Sequence, residues 1–305
     1  MKSRVVIAGG SGFVGQGLTA CLLARDYEVI ILTRHPGKRH DGATEIQWDG
    51  QNPGDWVTTL GGAEVVINLT GKSVNSRHTP ENKREILESR VNSVRALGHA
   101  IERASAPPRV FIQATGVGIY QDRGDAWSDE NAPHGSDFMA QVCEHWEGAF
   151  NGIDAPNTRK IILRLGVVMG RNGGFLALLG RLTRWFLGGH IGNGRQFISW
   201  IHIDDLVRMF IRAIEDDTVA GVLNATAPNP VRNSEFMREL RRTLHRPWSP
   251  PVPVFAARLG SALMGTEAEL ALVSQRCSPK RFLEHGFQFD FPELRSALHH
   301  IYSKS

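Results

Sequence analysis

Short, nearly unbroken apolar runs mark the first two-thirds of the chain, and amphipathic stretches separate several of them. Val5–Ala8, Val29–Thr33, Glu45–Trp48, Val65–Leu69, Val110–Thr115 and Lys160–Val167 read as strands. Gly12–Ala24, Pro80–Ala104 and Asp137–Gly152 read as helices between them. Apolar strands joined by helical crossovers predict a parallel sheet covered on both faces. A further helix is expected over Asp204–Ile214, with Asp204 or Asp205 as its N-cap, and Val222–Ala225 as a returning strand. Beyond Asn229 the texture changes. Pro230, Pro247, Pro250, Pro251 and Pro253 cut the chain into short helical pieces. The expected fold class is α/β, a doubly wound parallel sheet with a smaller α-rich C-terminal substrate lobe. Residues 1–166, with 200–226 returning to them, would form the dinucleotide-binding unit. Residues 167–199 and 227–305 would form the lobe that closes a cleft over the sheet's carboxyl edge.

The first strand-to-helix junction is Ile7-Ala8-Gly9-Gly10-Ser11-Gly12-Phe13-Val14-Gly15. Its glycines suit three tasks: Gly9 the tight turn, Gly12 the approach of a pyrophosphate, Gly15 close helix–strand packing. Phosphates would then sit on the helix N-terminus, where free N–H groups and the dipole favour negative charge. Ser11, Phe13 and Val14 complete the candidate contacts of that turn. At the end of the second strand, NAD-specific sites place an acidic residue for the ribose hydroxyls. Here Thr33 is followed by Arg34, with Lys38 and Arg39 close behind. A guanidinium stacks on adenine and pairs with a 2′-phosphate, so the sequence predicts NADP(H). The competing reading is a solvated basic turn. Trp48-Asp49 reads either as an adenine flank or as a turn. Asn68-Leu69-Thr70-Gly71 closes the fourth strand with small residues that let the backbone approach the middle of the cofactor. Asn92, inside a long helix, bonds neighbouring backbone or is merely exposed.

Bulk properties narrow the partners. The 305 residues are 41% hydrophobic, enough for a sizeable core, and the formal net charge is only +4. The densest basic cluster, Arg238 to Arg246, reads as the exposed face of a helix, so no nucleic-acid partner is expected. Cys21, Cys143 and Cys277 are far apart and make no metal or disulfide pattern, which fits a reducing cytoplasm. No apolar window approaches a membrane span, and the apolar run after Met1 is too short for a signal peptide. The expected partner is an unidentified small-molecule substrate, with no nucleic acid and no membrane, and the expected assembly a monomer or a homodimer.

As a set, these motifs resemble the extended short-chain dehydrogenase/reductase family. Gly9-x-x-Gly12-x-x-Gly15, Asn68-Leu69-Thr70-Gly71 and Asn92 match its motifs in place and order. Leu163-Arg164 through Gly170 looks like its sixth-strand motif, and Trp200-Ile201-His202-Ile203-Asp204-Asp205 is close to its aromatic-apolar-x-apolar-Asp-Asp motif. Within the family the chain is similar to the epimerase-like subgroup, often described as nucleoside-diphosphate-sugar epimerases. That subgroup carries a C-terminal segment of unknown function, here about residues 250–298, including Gln275 to Arg281. The resemblance implies a Rossmann-like domain, bound NADP(H), a substrate lobe, and oxidoreductase or epimerase chemistry.

The family's proton handler is a tyrosine, and a lysine four residues later lowers its pKa. This chain has three tyrosines, Tyr27, Tyr120 and Tyr302, and no Tyr-x-x-x-Lys. Family register puts Phe138 and Val142 at those two positions. Thr115 stands near the family's Ser/Thr position, either holding a substrate oxygen or bonded to backbone. Tyr120 is either the phenol that faces the nicotinamide or a buried structural tyrosine. Gln141 and His145 share a helix face, and His134 precedes that helix. In Gly192-Asn193-Gly194-Arg195-Gln196-Phe197-Ile198, Ile198 holds the place where sugar-nucleotide enzymes of the family keep a diphosphate-gripping arginine. Arg195 takes over an anion contact or is a loop charge. Arg164, a charge inside an apolar strand, needs a partner and is a cleft candidate. His202 is either a core histidine or a substrate contact. No metal is expected. Two functions follow: an NADP(H)-dependent oxidoreductase or epimerase with a non-standard acid, or an NADP(H)-sensing binding protein with little or no turnover.

Overall fold

A computed structural model describes residues 2–171 and 173–303. Among these residues the central sheet has seven parallel strands: β1 (Arg4–Ala8), β2 (Glu28–Thr33), β3 (Thr44–Gln47), β4 (Val65–Asn68), β5 (Val110–Gly116), β7 (Arg159–Leu165) and β11 (Gly221–Ala225). Their order is β11-β7-β5-β4-β1-β2-β3. A two-residue strand, β6 (Trp127–Ser128), lies between β5 and β7 in the chain. Side chains alternate across the pleat, so Val5 and Ile7 join one core cluster and Val6 and Ala8 the other. The first cluster packs under α1 (Phe13–Ala24) and the second under α2 (Pro80–Glu102) and α3 (Phe138–Asn151). Full burial of one such side chain stabilises the fold by about 1.5–3 kcal/mol. Thr79 caps α2 and Asp137 caps α3, each accepting a backbone N–H three residues on.

At Gly166 the chain leaves the sheet. A methyl there would lie 2.7 Å from the Ser199 carbonyl oxygen, so only glycine lets the two segments cross. The run expected as one strand, Lys160–Val167, is therefore split into β7 and β8 (Val167–Met169), and β8 pairs with β10 (Trp200–His202). Between them lie α4 (Gly174–Arg184), which the apolar pattern did not single out, and β9 (Phe197–Ile198). The amphipathic helix α5 (Ile203–Glu215) then packs beside α1, and β11 completes the sheet.

The remaining elements are β12 (Val231–Arg232), α6 (Asn233–Thr243), α7 (Val254–Met264), β13 (Arg276–Cys277), α8 (Lys280–Glu284) and α9 (Leu294–Ser303). β12 pairs with β9, and β13 with β6. α9 lies on α6, and one continuous apolar cluster runs from Val5 to Ile301. No described helix is long and apolar enough to cross a membrane.

Candidate functional site

The glycine turn caps β1 at the sheet's carboxyl edge. Gly9 has φ +76, a left-handed conformation that favours glycine, and a methyl on it would lie 3.1 Å from the Leu69 carbonyl carbon. At Gly15 a methyl would fall 2.4 Å from the Gly10 carbonyl oxygen, which is why α1 packs so closely. Gly12 is the N-cap of α1; no side chain caps the helix and no acid stands in its first turn. A methyl on Gly12 would meet only the Gly9 carbonyl oxygen, at 3.3 Å. Open backbone over uncapped amides is the environment that suits a pyrophosphate. The side chain of Phe13 points elsewhere: its ring fills the space left by Gly170 and Gly173, where a methyl would come within 2.6 Å of it. Val14 packs against the core, so these two residues offer the turn their backbone.

Ser11 Oγ lies 3.3 Å from Thr33 Oγ1, tying the turn to the end of β2. Arg34 follows, exposed, at the edge of the same mouth. Arg39 is occupied: it forms ion pairs with Asp41 and, at 3.0 Å, Glu45. Trp48 is buried against Trp56 with ring centroids 5.0 Å apart, and Asp49 accepts the amides of Gln51 and Asn52. Trp48 is thus a core residue and Asp49 an exposed turn residue. Asn68 is fully buried. It donates to Gln113 Oε1 at 2.9 Å and Ser93 Oγ at 3.2 Å and accepts the Thr70 amide, shaping the Leu69–Gly71 turn from behind. Behind Gly71 lies the Arg90 guanidinium, which donates to the carbonyls of Lys72 and Ile86; burial pulls its pKa down to about 10. Asn92 faces away. It lines an outer groove with Gln51, Asn52, Arg95 and His99, because Ser93, one residue on, is the α2 side chain that meets Asn68.

Beside this mouth, β5, β7, β11 and α3 enclose a polar cluster. Arg164 binds Glu147 in a fork, Nε to Oε1 at 2.9 Å and Nη2 to Oε2 at 2.7 Å, and both side chains are almost fully buried. Thr115 donates its hydroxyl to Glu147 Oε1 at 2.9 Å. The Tyr120 phenol accepts from Arg164 Nη1 and donates to Asn224 Oδ1, both at 2.8 Å. Burial pushes the Tyr120 pKa well above its ordinary value, opposite to what a proton donor near neutrality needs. Burial opposes the Arg164 charge, yet Glu147 holds its pKa above the usual range. The Cys143 thiol is likewise pushed up to about 12 by burial. Sequence reasoning singled out Thr115, Tyr120 and Arg164 separately as cleft groups. The structure joins them through Glu147 and Asn224, which it had not singled out. The sequence did carry one signal: Glu147 is a charge on the buried stripe Ala140, Cys143, Glu147, Phe150 of α3.

His134 touches this cluster from outside, its Nε2 3.2 Å from Arg164 Nη2 and its side chain 40% exposed. His145 is exposed and bonds the Gln141 carbonyl of its own helix. Arg195 stands exposed on the turn before β9, where its carbonyl accepts from Arg232. His202 is interior rather than in a substrate cleft. Its Nδ1 accepts the Asp204 amide and so caps α5, and its ring stacks on Phe291 at 4.0 Å. Its Nε2 then carries the proton, 3.2 Å from His300 Nδ1. His202, Asp204 and His300 are close enough for a cation, but neutral His202 has no second lone pair to offer one. Across the mouth, the segment before α2 meets the segment after α7: the Arg77 amide donates to Gly265 and the His78 amide to Glu267.

A parallel sheet whose strand order reverses at β1, with an uncapped glycine turn at that point, defines a Rossmann-type dinucleotide-binding protein. The chain belongs to the NAD dependent epimerase/dehydratase family, whose pattern matches residues 5–225. Residues 252–301 match a domain of unknown function, DUF1731. Epimerase family protein SDR39U1 of Mus musculus is 37% identical over 97% of this chain and 98% of its own length. The chloroplastic SDR39U1 homolog of Arabidopsis thaliana is 36% identical over 98% of this chain and 87% of its own. Among solved structures, human epimerase family protein SDR39U1 (isoform 2), crystallised with NADPH, superposes with a TM-score of 0.89. It is 35% identical, and the match covers 99% of this chain and 100% of that one. The nucleoside-diphosphate sugar epimerase of Corynebacterium glutamicum gives a TM-score of 0.79 at 33% identity, over 99% of this chain and 58% of that one.

Proposed function

We propose that the mouth between the glycine turn and Leu69–Gly71 binds NADP(H), and that the chain works as a cofactor-responsive binding protein rather than a tyrosine-dependent epimerase. Gly9, Gly12 and the amides of Ser11, Phe13 and Val14 would hold the pyrophosphate, Gly15 the packing that shapes the turn, and Arg34 the 2′-phosphate. The NADPH in the human relative supports the cofactor. One observation carries the second half: Thr115 and Tyr120 are both spent on a buried ion-paired cluster, while Phe138 and Val142 occupy the acid and lysine register. Three free cysteines suit a reducing compartment such as the cytoplasm.

A second reading, hydride transfer from the cofactor to a small carbonyl compound, is favoured by His134, an imidazole at the edge of the cluster with an exposed face. One set of titrations tests both readings. NADPH should quench tryptophan fluorescence at lower concentration than NADH, and Arg34→Glu should erase about tenfold or more of that preference, the loss of one guanidinium–phosphate pair. An unchanged NADPH/NADH ratio removes Arg34 from the site. NADPH consumption with a panel of small aldehydes and ketones, abolished by His134→Ala, would replace the binding-protein reading with the reductase one.

A further inference from the structure

We propose that the turn Trp185–Leu187 and the neighbouring Trp248 form a docking patch for the surface of an anionic lipid bilayer. Trp185 is 79% exposed and Trp248 74%, with Phe186 and Leu187 more than half exposed. The two segments lie against each other. Arg246 sits over the Phe186 ring at 5.3 Å, Arg241 donates to the Gly188 carbonyl, and the Val252 amide donates to His190. Phe186, with φ +63, is the left-handed residue that ends α4: its amide donates to the Thr183 carbonyl and the Leu187 amide to the Leu182 carbonyl, which turns the three side chains outward. A second apolar stripe starts a few residues on, at Phe255, Leu259 and Leu263 of α7, all strongly exposed. Among the described residues, only Trp127 and Leu283 are large exposed hydrophobics outside these segments.

Charge selects the occupant. No Asp or Glu occurs between Asp154 and Asp204, or between Glu239 and Glu267. Arg246 and Arg241 touch the patch directly, Arg181 and Arg184 stand in the last turn of α4 that leads into it, with Arg184 over the Tyr302 ring, and Arg242 follows on α6, while the carboxylates of that helix, Glu235 and Glu239, are paired to Arg238 and Arg242. Aromatic tips beside these arginines match a bilayer interface, where tryptophan sits at headgroup level and cations meet anionic lipid. A second copy docked about a twofold axis would set these arginines against one another. The patch is also remote from the cofactor mouth. α4 starts beside Phe13 and its 11 residues carry the chain about 16 Å away.

Co-sedimentation with vesicles tests the assignment. The full chain should pellet with vesicles containing phosphatidylglycerol and not with phosphatidylcholine alone, and rising salt should release it. The triple variant Trp185→Ala/Phe186→Ala/Trp248→Ala should bind about tenfold more weakly or worse. Arg181→Glu and Arg184→Glu should each cost about fivefold or more. Trp127→Ala should bind as the parent does, and thermal unfolding should show every variant folded. Failure to pellet with anionic vesicles overturns the proposal. So does full binding by the triple variant, or a wild-type dimer or acidic-protein complex that buries the patch and is lost in the triple variant.

Discussion

At Gly15, the contact that a methyl group would make falls on backbone, the Gly10 carbonyl, and no rotamer relieves it. Gly15→Ala should therefore push α1 off β1, cost about 1–3 kcal/mol, and abolish NADPH-dependent fluorescence change while the chain still folds. Urea unfolding and cofactor titration of the same sample read the two effects; an alanine variant that keeps both its stability and its NADPH response would contradict the packing described for the turn. Single residues were unevenly legible in the sequence. The three glycines could be read because each task is local and needs no distant partner. Asn92 and His202 could not be placed, because a helix face or an interior position is settled by partners far along the chain: Asn68 meets Ser93 and so turns Asn92 outward, and Phe291 and His300 pack on His202.

Elements were easier to read than pairs of elements. β1, β2, β4 and β5 follow from apolar runs because both faces of a parallel sheet are covered, which forbids polar interruption. β8, β9, β12 and β13 are two or three residues long and carry too little pattern to register. What joins α3 to β7 was also out of reach: Glu147 and Arg164 are 17 residues apart and Tyr120 and Asn224 are 104 apart. Only folding brings such charges together. Glu147→Gln leaves the buried Arg164 guanidinium without its counter-charge and should cost about 3–5 kcal/mol. Tyr120→Phe removes two hydrogen bonds and should cost about 1–3 kcal/mol without weakening NADPH binding. If Glu147→Gln unfolds at the parent's urea midpoint, the ion pair does not hold α3 on the sheet.

Across the whole molecule, the C-terminal residues are tied into the sheet's own core. Buried Asp205 at the start of α5 accepts the amides of Asp290 and Phe291, and Leu298 and Ile301 share an apolar cluster with Val5 and Ile7. Tryptophan fluorescence and far-ultraviolet circular dichroism should then trace one coincident urea transition; two separated transitions would mean that the α6–α9 region melts on its own. The strand order has a further consequence, for biosynthesis. β7 finds its outer neighbour only in β11, which lies 55 residues later in the chain, counted from Leu165 to Gly221 with the ends excluded. At about 5–20 residues per second, a ribosome takes several seconds to deliver it. Throughout that interval β7 is an apolar edge with unpaired amides, the form most open to misassociation with another nascent chain. A trigger-type chaperone would therefore gain most by holding the chain between those two strands.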